Sequence, residues 1–231
     1  MIEAQGLAKY FGRFSALRNL AIRVPQGQFI ALFGRNGAGK TTFLKILAGL
    51  SRPSAGSVKI CADKPDSQAA RAMIGYLSHN TALYLDLTAF ENLRFYAGLL
   101  DISTSDADLE EKIASVGLAG RGREPVRNYS RGMQQRLAIA RAFLHDPGIL
   151  LLDEPFTGLD QTGTEFLKNY LSASHARGKT CLMAIHDEAL GYELADRLVV
   201  IDKGNVALDL PRQSVGLEDF QKRYRALTEE R

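Results

Sequence analysis

A glycine-rich segment, GRNGAGKT at residues 34–41, matches the pattern G-x-x-x-x-G-K-[ST]. Its glycines let the backbone wrap closely around a phosphate, so that N–H groups and the start of the following helix point at the phosphate oxygens. Lys40 adds positive charge there, and the Thr41 hydroxyl can ligate Mg²⁺. These types and this spacing predict a triphosphate site, whose expected contacts are Gly34, Asn36, Gly37, Ala38, Gly39, Lys40, Thr41 and Thr42.

A second chemical motif lies about 110 residues further on, where the apolar run Ile149–Leu152 ends in Asp153 and Glu154. A carboxylate at the end of a buried strand can hold the shell of a Mg²⁺ ion, which is the role we expect for Asp153. The neighbouring carboxylate of Glu154 can accept a proton from an attacking water. Together with the phosphate loop, this pair predicts hydrolysis of a nucleoside triphosphate.

The elements that must position these residues follow an α/β pattern. An apolar strand at Phe29–Phe33 precedes the phosphate loop, and a helix is expected over residues 42–50. The uniformly apolar runs 149–152, 181–185 and 198–201 are typical of central parallel strands that are covered on both faces. Residues 57–62 alternate instead, which predicts a half-exposed antiparallel strand.

The pattern changes between residues 83 and 145, where apolar residues recur at helical spacing and no strand is expected from 85 to 129. We therefore predict an α/β P-loop NTPase (RecA-like) core with an N-terminal antiparallel β part and an inserted α-helical subdomain. The core covers residues 1–82 and 146–231, and the insertion covers 83–145. A final helix is expected from Leu217 to Leu227, packed on the core.

Composition agrees with a globular protein of 231 residues, since 45% of them are hydrophobic and 24% are charged. A formal net charge of +3 is too small to indicate a nucleic-acid binder. The two cysteines, Cys61 and Cys181, are expected to be reduced thiols. No signal peptide is expected at the N-terminus, and the apolar runs are far shorter than the ~20 residues that span a bilayer. Any membrane role must then come through a partner.

The segment between the two motifs identifies a family. Residues 128–136, NYSRGMQQR, resemble the Leu-Ser-Gly-Gly-Gln signature of the ATP-binding subunits of ABC transporters, and the resemblance covers nearly the whole chain. Ser130 and Gly132 keep their places, whereas Tyr129, Arg131 and Met133 depart from the consensus. Ser130 can still cap the following helix and face a γ-phosphate.

Other matches follow in the order that the family has. Residues 158–160, ending in Asp160, resemble the loop that links two nucleotide sites across a dimer. His186 resembles the switch histidine that contacts the γ-phosphate. Phe11 occupies the place where the family stacks an aromatic ring on adenine, with Tyr10 as the alternative.

One position departs from the family. A glutamine usually follows the strand near residues 75–77, where it contacts Mg²⁺ and senses the membrane subunit. This chain has Ser78, His79 and Asn80 instead. His79 aligns best as the metal contact, and Asn80 could offer an amide one position later.

The resemblance implies ATP and Mg²⁺ as cofactors, with Lys40, Glu154 and His186 in the catalytic machinery. It also implies a homodimer in which each ATP lies between the phosphate loop of one subunit and the signature of the other. A separate transmembrane permease is the expected partner, and it would bind the surface between His79 and Phe95. The subunit would then be cytoplasmic and peripheral on the inner face of the cell membrane.

The cargo is not encoded in these residues. The signature variant and the Ser-His pair after residue 77 resemble exporter ATPases, those of the haem-exporter type from cytochrome c maturation most of all. Exporters of lipid, polysaccharide or drugs share much of this pattern. A soluble ABC ATPase that acts on nucleic acid or ribosomes is the other alternative. Its only support is a set of arginines that we expect to form solvated surface and to supply charge near the ATP: Arg121, Arg123, Arg127, Arg131, Arg136 and Arg141.

Overall fold

The computed structural model describes residues 2–229 as two β-sheets with helices packed around them. The strands are β1 (Ile2–Phe11), β2 (Phe14–Val24), β3 (Phe29–Phe33), β4 (Ala55–Ile60), β5 (Ile74–Leu77), β6 (Ile149–Asp153), β7 (Thr180–Ala184), β8 (Arg197–Asp202) and β9 (Asn205–Pro211). The α-helices are α1 (Lys40–Leu47), α2 (Gln68–Met73), α3 (Ala89–Leu99), α4 (Asp106–Ser115), α5 (Arg131–Ala142), α6 (Gln161–Ala176), α7 (Glu188–Leu194) and α8 (Leu217–Glu229). Short 3₁₀ turns cover Val126–Asn128 and Arg212–Ser214.

The larger sheet has the strand order β5-β6-β7-β3-β8-β9, and its strands are parallel except for the β8–β9 pair. Every residue of β3, β6 and β7 is buried, as expected for strands that helices cover on both faces. The predicted α/β fold with parallel central strands is confirmed.

The smaller sheet is antiparallel, with the order β2-β1-β4. The strand predicted at residues 57–62 is β4, which begins two residues earlier and ends at Ile60. Only Val58 and Ile60 in it are buried, so its alternating sequence matches its half-exposed position.

Helices α3, α4 and α5 occupy the predicted insertion, and the described residues between 85 and 129 contain no strand. A separate apolar cluster holds these helices together around Phe90, Leu93, Ile113 and Leu137. Helix α5 is shared, because its Ile139 packs in the core beside β6 and β7 instead. The predicted domain boundaries at residues 82/83 and 145/146 stay a prediction. The predicted core also includes residues 1, 230 and 231, which lie outside the described residues.

The final helix α8 packs on the core, as predicted. Phe220 is fully buried, with its ring 4.9 Å from that of Phe33, and Tyr224 lies beside both. This contact places α8 next to the strand that leads into the phosphate loop. Among residues 2–229, no helix is both long and apolar enough to span a bilayer.

Candidate nucleotide site

The sheet order brings the chemical motifs together at one edge. Strands β6, β7 and β3 are neighbours, and they end in Asp153, in Ala184 just before His186, and in Phe33 just before the phosphate loop. Because parallel strands end at the same edge, residues far apart in sequence meet there. The cavity at this edge has a volume of about 640 Å³. The predicted site residues that line it are Asn36, Gly37, Ala38, Gly39, Lys40, Thr41, Thr42, His79, Asp153, Glu154 and His186.

The phosphate loop needs glycine at two positions for steric reasons. A Cβ on Gly34 would lie 2.2 Å from the carbonyl oxygen of Ile201, and Gly34 has φ = 145°. A Cβ on Gly39 would lie 2.6 Å from the carbonyl oxygen of Ala16, with φ = 112°. Both conformations disfavour any residue with a side chain. Glycine is therefore required at both positions for the loop to follow this path.

Lys40 points back into this loop. Its Nζ donates to the carbonyl oxygen of Gly34 at 2.6 Å and to that of Arg35 at 3.3 Å. Burial lowers the pKa of Lys40, and the nearby carboxylates of Glu154 and Asp153 act against this. The loop carbonyls are neutral and offer this buried cation only their dipoles. A phosphate group in the cavity would pair it with a full negative charge.

Thr41 and Asp153 form the pair of oxygens that could hold a divalent cation. The Thr41 hydroxyl donates to Asp153 Oδ1 at 2.9 Å. The other oxygen, Oδ2, is buried and has no hydrogen-bond partner. Burial raises the pKa of Asp153, while the hydrogen bond from Thr41 opposes that rise. A hard cation satisfies such an orphaned carboxylate oxygen, so these residues fit Mg²⁺.

Glu154 lies between two histidines. Its Oε1 is 2.7 Å from His186 Nε2, and its Oε2 is 3.8 Å from His79 Nδ1. The residue has φ = 53°, a left-handed conformation that a non-glycine residue adopts at a cost. The backbone N–H of Glu154 donates to the carbonyl oxygen of Ala184, which fixes this turn to the neighbouring strand β7.

The loop after β5 contains the position where this chain departs from the family that it resembles. His79 and Asn80 both line the cavity, so the structure leaves both candidates for the missing glutamine near the site. The Ser78 hydroxyl donates to the carbonyl oxygen of Asn80 and makes the loop turn. His79 has a half-exposed side chain and reaches Glu154, whereas its predicted contact with Mg²⁺ stays a prediction.

The signature residues lie outside this cavity. Ser130 caps α5, and its hydroxyl accepts from the N–H of Met133 at 3.3 Å, as predicted from the sequence. Neither Ser130 nor Gly132 lines the cavity among the residues described. The predicted contacts of Ser130 and Gly132 with nucleotide stay a prediction.

Asp160 is also outside the cavity, and its contacts are internal. Its Oδ1 accepts from the N–H of Gly163 at 2.8 Å and so caps α6. Its Oδ2 is 2.5 Å from Nη2 of Arg136. The hydrogen bond from Gly163, and to a lesser degree Arg136, lowers the pKa of this carboxyl. Its predicted contact with nucleotide stays a prediction.

One aromatic residue of the cavity wall, which also contains Tyr76, was not singled out from the sequence. Phe14 lines the cavity, whereas Phe11 and Tyr10 do not belong to the lining residues described. Phe11 pairs with Phe14 across the β1–β2 turn, and the Lys9 ammonium lies over its ring. The one signal for Phe14 was a second aromatic residue three positions after Phe11.

Two of the six arginines are packed against other residues and do not form solvated surface. The Arg136 side chain is only 15% exposed in its ion pair with Asp160. Arg141 packs against the ring of Tyr96 and donates to the carbonyl oxygen of Tyr76. Both residues face the interior because α5 is covered on two sides, which single-helix patterning does not reveal.

Comparisons with known proteins show which family the chain belongs to. Residues 17–157 match the family model described as ABC transporter. The bacitracin transport ATP-binding protein BcrA of Enterococcus faecalis is 33% identical over 232 residues, covering 99% of this chain and 73% of the relative. The fluoroquinolones export ATP-binding protein of Mycobacterium tuberculosis is 37% identical over 218 residues, covering 92% and 72%.

The fold also matches solved structures. A dimeric ATP-binding cassette in a post-hydrolysis state, bound to ADP and Pi, has a TM-score of 0.84 at 26% identity, covering 92% of this chain and 99% of that one. The phosphate loop, the acidic strand end and these matches lead to one conclusion. The chain belongs to the ABC transporter family as one of its ATP-binding, ATP-hydrolysing subunits.

Proposed function

We propose that this chain powers a membrane exporter by ATP-driven closure of a homodimer on a separate transmembrane permease. The observation that carries the proposal is the division of the site. The phosphate loop, Thr41, Asp153 and Glu154 line one cavity, while the capped start of α5 at Ser130 lies outside it. A second copy of the chain would supply the missing signature to each site.

In this proposal each ATP is bound first by one subunit. The loop N–H groups and Lys40 hold the β- and γ-phosphates, and Thr41 with Asp153 holds Mg²⁺, which supplies charge neutralisation on the phosphates. The γ-phosphate then accepts from the N-terminal N–H groups of α5 in the partner subunit. ATP acts as the bridge between subunits, so its hydrolysis loosens the dimer.

Glu154 is the proposed general base. Its carboxylate lies in the cavity and accepts the proton of an attacking water, while His186, 2.7 Å away, orients it and contacts the γ-phosphate. The short contact with His186 holds Glu154 in place before ATP arrives. The departure of phosphate would free His186, which gives this side chain the role of a sensor.

An exposed aromatic patch is the proposed contact with the permease. Tyr84, Leu85, Phe95 and Leu99 are exposed, and the rings of Tyr84 and Phe95 meet edge to face at 4.9 Å. This patch adjoins a groove that is lined by Tyr96, Leu99, Arg71 and Arg141 among others. Large apolar side chains clustered on a surface are typical of interaction sites. Bound there, the chain would lie on the inner face of the cell membrane.

Export, and haem as the cargo, are the narrower parts of this proposal. Export is supported by the relative named for fluoroquinolones export. Haem rests only on the resemblance of the signature variant and the Ser78-His79 pair to exporters from cytochrome c maturation. The two relatives described above are named for bacitracin and fluoroquinolones, so drugs and peptides are cargo classes that the experiment must separate from haem.

The structure gives little support to a nucleic-acid function. Most of the arginines that suggested it are paired with acidic side chains, whose negative charge reduces the attraction that these arginines exert on phosphates. The pairs are Arg121–Glu124, Arg123–Glu110, Arg127–Asp86 and Arg136–Asp160.

The test uses a Glu154→Gln variant. Loss of the base is expected to lower kcat by a factor of about 10²–10⁴, while ATP binding persists and the closed dimer accumulates. Tagged variant and wild type are each purified from detergent-solubilised membranes with ATP and Mg²⁺, and the co-purifying proteins are identified. A multi-span membrane protein at equal stoichiometry supports the transporter proposal.

The contrary outcomes are equally specific. Unchanged turnover in Glu154→Gln would remove Glu154 from the role of base. Recovery of only ribosomes, nucleic acid or soluble proteins would overturn the transporter proposal. Haem-handling membrane proteins among the partners would support haem as cargo, and their absence from an otherwise intact permease complex would overturn it.

A further inference from the structure

The loop that carries the proposed catalytic carboxylate is strained at its first residue. It runs from Glu154 to Asp160, between β6 and α6, and begins in the left-handed conformation of Glu154. Its own backbone hydrogen bonds include those from Thr157 to the Glu154 carbonyl and from Leu159 to the Phe156 carbonyl. A strained residue persists only where its surroundings hold it. The position of Glu154 therefore depends on what packs against this loop.

Helix α5 contacts the loop at Pro155, the residue that follows Glu154. The side chain of Gln135 is buried, at 5% exposure, and its Nε2 donates to the carbonyl oxygen of Pro155 at 3.2 Å. A buried amide that lost this acceptor would incur a desolvation cost. Gln135 thus ties the middle of the signature helix to the residue next to the general base.

The same helix contacts the far end of the loop through a salt bridge. Nη2 of Arg136 lies 2.5 Å from Oδ2 of Asp160, and the arginine side chain is largely buried. A Cβ added to Gly117 would lie 3.1 Å from Nη1 of this arginine, so the guanidinium is confined on that side as well. Asp160 is simultaneously the cap of α6 through Gly163. Arg136 therefore joins α5 to the start of a core helix.

A third contact lies at the start of the signature itself. A Cβ on Gly158 would lie 3.0 Å from Nε of Arg131, so this side chain covers the glycine. A Cβ on Gly132 would lie 3.6 Å from the carbonyl oxygen of Gly158. The first turn of α5 thus rests directly on the loop, at the end that is expected to face the partner's ATP.

We propose that Gln135 and Arg136 are positioning residues that make α5 and the Glu154–Asp160 loop move as one unit. When the start of α5 binds the ATP held by the partner, that movement reaches the Glu154 of its own subunit. This inference rests on the proposed homodimer. Asp160, which accepts a hydrogen bond from Arg136, would then link the start of α5 to Glu154 within one subunit.

The decisive variant is Asp160→Asn, because asparagine caps helices about as well as aspartate but carries no charge for Arg136. We expect one subunit to bind ATP with unchanged Kd and to keep its fold, with a lower Tm because the largely buried Arg136 loses its ion-pair partner. Steady-state kcat is expected to fall about tenfold, and the Hill coefficient for ATP to fall from about 2 towards 1. In Arg136→Ala the same changes are expected, and Arg136→Lys, which keeps the charge, is expected to restore part of kcat.

Lys168→Ala is the matched control. Lys168 lies on α6 and forms an ion pair with Glu193 whose side chains are 24% and 57% exposed, against 15% and 57% for Arg136 and Asp160. Its loss should leave kcat and the Hill coefficient at wild-type values. Equal effects of Lys168→Ala and Asp160→Asn on kcat and the Hill coefficient would overturn the positioning role, because the effect would then follow from the loss of any ion pair at α6.

Two further outcomes separate this inference from the proposed function. If Glu154→Gln forms no dimer with ATP, the homodimer fails and this inference fails with it. If that dimer forms but Asp160→Asn keeps the wild-type kcat and Hill coefficient, only the positioning role is overturned. A raised Kd for ATP in single subunits of Asp160→Asn would make Asp160 a nucleotide contact and also overturn that role.

Discussion

At the scale of single residues, two aromatic rings next to the cavity are the candidates for stacking on adenine. Phe11 and Phe14 pair across the two-residue turn between β1 and β2, and both rings are more than half exposed. Only Phe14 belongs to the cavity wall among the residues described, although the sequence favours Phe11. Aromatic stacking contributes about 0.5–1.5 kcal/mol beyond the area it buries. Either ring could therefore change ATP affinity measurably, and substitution distinguishes them.

We expect Phe14→Ala to raise the KM for ATP about threefold to tenfold at nearly constant kcat, because uniform binding is lost without change at the γ-phosphate. Phe11→Ala is the parallel variant, and steady-state ATPase kinetics is the measurement. A KM that rises only in Phe11→Ala would assign the adenine platform to Phe11, as the sequence predicts. No change in either variant would place the adenine elsewhere.

At the scale of helices and strands, the packing of each element decides which part of the site can be predicted from the sequence. The phosphate loop, Asp153 and Glu154 follow apolar strands, and local sequence is sufficient to find them. The contacts of Arg136 and Arg141 depend on α5 being covered on two sides. Such burial is a property of tertiary packing, and a sequence that presents arginines around a helix gives no sign of it. The two contacts of Asp160, the cap of α6 and the salt bridge with Arg136, could not be predicted for the same reason.

The junction of β5 with α5 offers a test at this scale. A Cβ on Gly75 would lie 2.5 Å from the carbonyl oxygen of Ala142 and 2.5 Å from Cγ of Pro147. Gly75→Ala must therefore push the end of α5 away from β5, and overpacking of this kind costs about 1–3 kcal/mol. We expect a lower Tm and a lower free energy of unfolding, measured by thermal and urea denaturation.

Gly98→Ala is the control for this substitution. Gly98 lies within α3, and a Cβ there would meet no atom within 4 Å. Alanine replaces glycine favourably in a helix, by about 0.5–1 kcal/mol. The two variants should thus shift the Tm in opposite directions. A Gly75→Ala protein as stable as wild type would show that α5 is free to move away from β5 at no cost.

At the scale of the whole molecule, the proposed homodimer requires that the cavity of one subunit and the signature of another form a single site. Gly132 follows the Ser130 cap in the first turn of α5, and nothing but the Gly158 carbonyl, at 3.6 Å, lies near a Cβ placed there. An aspartate fits this position and stabilises the N-terminus of a helix. The same charge would repel the γ-phosphate of an ATP that the partner holds.

We therefore expect Gly132→Asp to keep the fold and the ATP affinity of one subunit but to abolish the dimer. Placed in the Glu154→Gln background, it should stay monomeric with ATP in light scattering, whereas Glu154→Gln alone dimerises. Linkage provides a second readout, because a dimer held by ATP has a Tm that rises with protein concentration. That dependence should appear in Glu154→Gln and vanish in the double variant. A double variant that still dimerises would mean that the start of α5 does not meet the partner's γ-phosphate, and that the subunits associate through another surface.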